Sequence, residues 1–438
     1  MATQMIDAVN IDTQELLTES DSFCIMPWIH VHQSPDQTVS GCCICTPSNS
    51  TDNELEYRVN SGNIDDMVNV EFMKALRTDM LSGVKNSACD NCYKMEGKTN
   101  QSPRQQNNKT YAHHVDVVKE TKPNGALFNF KMRYYDIRYT NLCNFKCRSC
   151  TAGFSSAWQA ENKQFSSPDI LPLIAHTPAN RLMSSAPGAL LKQIMAQISN
   201  LEHAYFAGGE PLMMEDHYVL LREMIAMDRT DITLSYNTNV SKLTLENQKI
   251  LDLWAKFDNA VHVGASIDAV GTQAEYIRHG TYWPTIHDNL LMLRKHPKVV
   301  LSISVVVSVY NYLYLDELLE YVSEYRLIDP ESGFQNLIRC TLPHWLDPRT
   351  LPADIKQQAE KKLKPIINKL DMHGYNIEPL RELIQWVNSE DLSSEERSQE
   401  FLEHTAYLDY IRQEDFVDTF PELRGLVLPS DIIKETTA

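Results

Sequence analysis

The chain has 438 residues, 43% of them hydrophobic, and 40 basic against 58 acidic side chains give a formal charge of −18. That length exceeds one ordinary core, and the acidity works against an anionic polymer such as nucleic acid as partner. The N-terminus lacks a basic segment followed by an apolar one, and the longest apolar run, near 299–309, is too short for a membrane span and broken by serines, so the expected setting is the cytoplasm.

Residues 1–20 read as a polar lead-in. The next unit, 21–100, carries Cys24-Ile-Met-Pro27-Trp28, Cys42-Cys43-Ile-Cys45 and Cys89-Asp-Asn-Cys92 with little regular periodicity. Cysteines grouped this closely in a chain of this size read as metal ligands rather than disulfide partners, and the unit as a small metal-stapled one. His30 and His32 alternate after Trp28 and are expected on a solvent-facing hairpin. Residues 101–129 are a polar connector in which Ser102 and Arg104 are candidates for a placed role.

From 130 to 350 short β-branched runs alternate with amphipathic segments. Strands are predicted at Tyr134–Thr140, His203–Ala207, Thr233–Asn237, Val261–Ile267, Val300–Val309 and Asn336–Leu342. Helices are predicted at Ser155–Asn162, Ala189–Ser199, Asp216–Met227, Thr244–Trp254, Gln273–Leu293, Leu315–Tyr325 and Ala353–Met372, with an insertion at Phe165–Ser185. Six βα units predict an α/β fold: a parallel sheet with right-handed crossovers, curled as a partial (β/α)6 TIM-like barrel. Tyr134, Tyr135 and Tyr139 are expected in the barrel core. Residues 351–438 predict a C-terminal helical extension, including Glu378–Asn388 and Glu396–Arg412.

Directly after the first barrel strand stands Cys143-Asn-Phe-Lys-Cys147-Arg-Ser-Cys150. Three thiolates at this spacing can hold three corners of an iron–sulfur cube, and with no fourth cysteine nearby one iron stays open. Half of a zinc site is the plainer alternative, but a gap of three then two is not the usual zinc pattern. After the second strand comes Ala207-Gly208-Gly209-Glu210-Pro211, where glycines expose backbone to a ligand and Glu210 can accept from an ammonium. In this order the two motifs resemble the radical S-adenosylmethionine (radical SAM) superfamily.

The resemblance implies a [4Fe-4S] cluster on Cys143, Cys147 and Cys150, whose open iron is chelated by S-adenosyl-L-methionine. It implies further that Gly208, Gly209 and Glu210 hold the amino group of that cofactor, with ribose and carboxylate contacts from Ser266, Arg278 and Thr238. Ser149 replaces a frequent aromatic residue, and Val240 replaces the glycine that often follows Thr238-Asn239. The N-terminal cysteines resemble the SPASM and twitch auxiliary modules, in which a C-x-x-P-W segment opens a hairpin and a C-x2-C pair completes the ligands. The implied second [4Fe-4S] cluster sits on Cys24, Cys42, Cys89 and Cys92, with Cys42 chosen over Cys43 and Cys45. The glycine usual five residues before that cysteine is here Gln37. Here the module precedes the barrel, as in twitch proteins of phage and bacterial type.

The expected activity is reductive cleavage of S-adenosylmethionine to a 5′-deoxyadenosyl radical, which abstracts hydrogen from a peptide or small-molecule substrate. A flavodoxin or ferredoxin would supply electrons, and the fully ligated auxiliary cluster would transfer them. Cys340 is a candidate hydrogen-atom donor, against the plainer reading of a buried apolar residue. The rival function is a non-enzymatic zinc scaffold, which needs neither the Gly-Gly-Glu-Pro turn nor six βα units.

Overall fold

The computed structural model of the chain describes residues 12–47, 50, 53–59, 63–96, 101–138, 140–164, 187–330, 334 and 336–427; the predicted insertion at 165–185 and Tyr139 lie outside them. Its centre is one eight-stranded sheet. The strands are β1 (His30–Gln33), β2 (Val39–Ser40), β3 (Tyr134–Ile137), β4 (His203–Phe206), β5 (Thr233–Thr238), β6 (Val261–Ser266), β7 (Val299–Val307) and β8 (Leu337–Arg339). Their order is β8-β7-β6-β5-β4-β3-β1-β2, parallel throughout except for the β1–β2 hairpin. All six strands predicted between 134 and 342 are therefore present as one parallel run.

The hairpin of the cysteine-rich segment is the surprise. β1 pairs in parallel with β3, His30 opposite Tyr134 and His32 opposite Asp136. The two histidines expected to face solvent are instead 1% and 3% exposed. His30 Nδ1 lies 2.9 Å from the Tyr134 carbonyl oxygen, and His32 Nδ1 lies 3.1 Å from Asp136 Oδ2. Nothing local announces a pairing between segments a hundred residues apart, so the hairpin reads as exposed until the sheet is assembled.

Each strand sorts its side chains between two unlike faces. In β5, Leu234, Tyr236 and Thr238 are buried, while Ser235 and Asn237 on the other face are half-buried. In β4, Ala204 and Phe206 are buried and His203 and Tyr205 half-buried. Tyr134, expected in the core, is half-buried on that same second face, whereas Tyr135 is buried.

Two predicted helices are broken. The segment predicted as helix from Thr244 begins with a hairpin, Thr244–Leu245 against Gln248–Lys249, and only Ile250–Trp254 is helical. Glu246 turns the chain with φ +50°. The predicted helix Gln273–Leu293 divides into Gly271–Ile277 and Trp283–Lys295. Between them Arg278–His279 pairs antiparallel with Lys146–Cys147 of the cysteine loop. Gly280 allows the break at φ +105°, a conformation open to glycine at little cost.

The connector is ordered. Ser102 caps the helix Pro103–Thr110 in a capping box with Gln105, and its hydroxyl donates to Glu96 Oε1 at 2.7 Å. The fully buried Arg77 joins three loops by donating to the carbonyls of Pro27, Val68 and Gly125 at 2.9, 2.6 and 2.7 Å. After the sheet, the helices Ala353–Met372, Glu378–Val387 and Glu395–Arg412 occur within a residue or so of their predicted ranges. No helix among the described residues is long and apolar enough to cross a membrane.

Candidate functional site

The cysteine loop lies past the C-terminal end of β3, and the Gly208–Glu210 turn past the end of the neighbouring β4. In parallel α/β sheets ligands gather at that end, where loops diverge. The turn and the loop are in direct contact. Glu210 N donates to the Leu142 carbonyl at 2.6 Å, and a Cβ on Gly209 would stand 2.2 Å from that same oxygen. Gly209 is thus required for the turn to touch the loop backbone, a reason the motif alone does not disclose. Gly208 takes φ +114°.

Glu210 is 1% exposed, and its carboxylate is fully engaged within the protein. Oε1 accepts from Leu212 N at 3.0 Å and Thr238 Oγ1 at 2.7 Å, and Oε2 accepts from Asn239 N at 2.7 Å. Burial pushes its pKa up to about 7, against the pull of those three donors. Thr238 is thereby placed beside Glu210 at the end of β5. Asn239 reaches further, donating to Asn144 Oδ1 at 3.0 Å, with Cys143 Sγ at 4.0 Å.

Cys143, Cys147 and Cys150 are all half-buried on the one loop. Burial raises all three thiols, to about 11 for Cys147 and about 12 for Cys150. Arg278 stands beside them, its NH1 3.8 Å from Cys147 Sγ. The guanidinium is held in place by Asp268, 1% exposed at the end of β6, through an ion pair of 2.8 Å and a hydrogen bond of 3.0 Å. Asp268 in turn accepts from Val306 N at 2.8 Å. Arg278, expected from the sequence, is therefore brought to the cysteine loop by the strand pairing that breaks its predicted helix. Ser266 lies half-buried at the end of β6, opposite Ser304 of β7.

The outer side of the loop is covered by the C-terminal extension, which sequence reasoning did not connect to the site. Arg148, 1% exposed, packs its guanidinium 3.6 Å from the Tyr276 ring centroid and pairs with Asp409 at 2.5 Å and Glu414 at 2.6 Å. His279 Nδ1 meets Glu414 at 2.6 Å, while Glu161 pairs with both Lys146 and Arg412.

The N-terminal cysteines converge on a second cavity, lined by Cys24, Cys42, Cys45, Cys89 and Cys92 together with Arg104. That is five thiols rather than four: Cys45, passed over in the sequence reading, lines the cavity with Cys42 and Cys89. Cys43 is exposed and does not line this cavity. Gln37 takes φ +71°, a left-handed conformation that glycine would meet at less cost. Arg104 anchors the cavity wall, pairing with Glu96 at 2.8 Å and donating to the carbonyls of Ser20 and Phe23 at 3.1 and 2.7 Å. Cys340 is 4% exposed, its thiol raised to about 12 by burial and donating to the Leu342 carbonyl at 3.4 Å.

Sequence reasoning also missed the second face of the sheet. There Tyr134, His203, Tyr205, Ser235, Asn237 and His262 join residues of β7 and β8 around a cavity of about 670 Å³. The signal was present as polar residues at every second position of the predicted strands.

Residues 137–322 match the family model of the radical SAM superfamily. This segment, less than half of the chain, is similar to radical SAM domains. No curated protein matches the sequence significantly. Among solved structures, anSMEcpe with bound AdoMet is 17% identical, over 54% of this chain and 60% of that one, with a TM-score of 0.34. Streptococcus suis SuiB, bound to its precursor peptide SuiA, is 14% identical, over 73% of this chain and 64% of that one, with a TM-score of 0.35. The chain thus covers less than two thirds of either structure's length.

Proposed function

We propose that the protein cleaves S-adenosylmethionine reductively and directs the resulting 5′-deoxyadenosyl radical to a carbon of a peptide or small-molecule substrate. The observation that carries this reading is the three-cysteine loop seated against the Gly208–Glu210 turn, with Arg278 at Cys147. In this reading Cys143, Cys147 and Cys150 hold a [4Fe-4S] cluster, which together with the bound S-adenosylmethionine supplies the radical. A set of three soft thiolates, with no fourth cysteine close by in the sequence, fits such a group.

The chain's own residues bind and orient. Gly208 and Gly209 keep the turn close to the loop, and with the Glu210 carboxylate occupied by its three donors, the turn's backbone carbonyls are left to accept from the ammonium of S-adenosylmethionine. Arg278 brings a positive charge to the thiolates and, with Thr238 and Ser266 at neighbouring strand ends, stands where the carboxylate and ribose would be met. The C-terminal extension, through Asp409 and Glu414 on Arg148, keeps the loop in place.

We further propose that the sheet is the partial (β/α)6 barrel of these enzymes and that residues 21–100 form a SPASM or twitch-type module. Four ligands for a second [4Fe-4S] cluster are available from Cys24, Cys42, Cys89 and Cys92, with Cys45 as a fifth thiol on the same cavity. Closed ligation suits electron transfer, with a flavodoxin or ferredoxin as donor. Cys340, buried and bonded to its own turn, is given a packing role.

The test is anaerobic reconstitution followed by iron, sulfide and nucleoside analysis. Two clusters predict about eight irons per chain, falling to about four when Cys143, Cys147 and Cys150 are all alanine. Reduced protein is expected to form 5′-deoxyadenosine without substrate, and Cys147→Ala to abolish it. Stoichiometric zinc without sulfide would instead establish the zinc-scaffold function.

A further inference from the structure

We infer that the cavity on the second face of the sheet receives an uncharged, hydrogen-bonding small molecule: a hydroxyl- or amide-rich compound of the neutral sugar type. The inference rests on the proposed radical chemistry only for what happens to that molecule once it is bound.

The cavity is built by strand alternation. Every second residue of β4 to β7 points away from the apolar, helix-packed face, and at those places stand Tyr205, Ser235, Asn237, Ser302 and Ser304, joined by Asn336 just before β8. A run of such residues on a face that could have been apolar is costly unless they meet a polar ligand or water. At about 670 Å³ the space falls within the range of small-molecule sites. Gly264 keeps it open at mid-height. A Cβ there would lie 2.5 Å from Asn237 Oδ1 and 3.0 Å from Ser304 Oγ, so these two groups close in where a side chain would otherwise stand.

Charge decides the class of ligand. Among the described residues lining the cavity there is no carboxylate, lysine or arginine; the titratable groups are three tyrosines, His203 and His262. Burial raises the phenols of Tyr134, Tyr205 and Tyr236, so they stay neutral. Burial lowers His203 to about 4, and its Nε2 lies 2.7 Å from Ser235 Oγ. The nearest charges at the β3 edge neutralise each other: Arg138 donates to Asp136 at 2.7 and 3.1 Å, and His32 meets the same carboxylate at 3.1 Å. An anionic or cationic ligand would enter without a counter-ion, and an apolar one would strand the hydroxyl and amide groups. A neutral polar molecule meets both conditions.

The experiment divides a small-molecule extract of the source cells by ion exchange into neutral, anionic and cationic fractions. Each is added to the anaerobically reconstituted protein with S-adenosylmethionine and reductant, and 5′-deoxyadenosine is measured against the rate without extract. The neutral fraction is expected to raise the rate about tenfold or more above either charged fraction, the preference that one unpaired charge produces. Stimulation by a charged fraction, or by none while the substrate-free rate persists, overturns the inference. Loss of the substrate-free rate itself would count against the radical chemistry instead. Ser302→Asp supplies the complementary arm, with fold checked by circular dichroism and iron content. Normalised to that variant's own substrate-free rate, the response to the neutral fraction is expected to fall about tenfold or more. An unchanged response means that the stimulating molecule does not occupy this cavity.

Discussion

The buried pair beside Cys147 offers a sharp test of how the site is held. Asp268 is 1% exposed and faces the Arg278 guanidinium through an ion pair of 2.8 Å and a hydrogen bond of 3.0 Å, while also accepting from Val306 N. Replacing Arg278 by Met strips a buried carboxylate of its cation, which costs about 3–5 kcal/mol. Adding Asp268→Asn should then restore part of the loss, about 2 kcal/mol, because a neutral amide can still accept from Val306 N without leaving a bare charge in the interior. The second substitution thus rescues the first, the opposite of two independent insults. Urea unfolding under anaerobic conditions, on apoprotein and reconstituted protein, measures both steps. If Asp268→Asn deepens the loss in the Arg278→Met background, the guanidinium owes its place to Cys147 and its cluster rather than to Asp268, and the reasoning fails.

Two further outcomes follow from the same geometry. In single alanine variants, Cys42→Ala is expected to lose the auxiliary cluster, leaving about four irons, while Cys43→Ala and Cys45→Ala retain about eight; retention in Cys42→Ala together with loss in Cys45→Ala would exchange the roles of those two thiols. The pH dependence of stability isolates Glu210, whose folded pKa is raised from 4.5 to about 7. Its contribution is full below the unfolded value and is lost as pH rises through about 7, so wild type should lose about 2–3 kcal/mol more than Glu210→Gln between pH 5 and pH 8. Equal losses in the two proteins would show that the carboxyl is already ionised at pH 5 in the fold.

What could be read from the sequence was whatever the chain decides locally. The three-cysteine spacing, the Gly-Gly-Glu-Pro turn and six β-branched runs each lie within about ten residues, and both the strands and the α/β class follow from them. The long C-terminal helices were legible for the same reason, since their apolar period is internal to each helix. Other features belong to contacts between distant segments. His30 and His32 are buried because β1 pairs with β3, and Arg278 leaves its helix because it pairs with Cys147. Cys45 and Cys89 line one cavity although 44 residues apart, and Asp409 and Glu414 reach Arg148 from the end of the chain. The polar second face shows the boundary most clearly. Its alternation was written in each strand, but only the parallel register that sets Ser235 against His262, and Ser302 against Gly264, turns separate polar positions into one cavity. Periodicity tells a strand which side chains share a face; the tertiary structure decides what that face encloses.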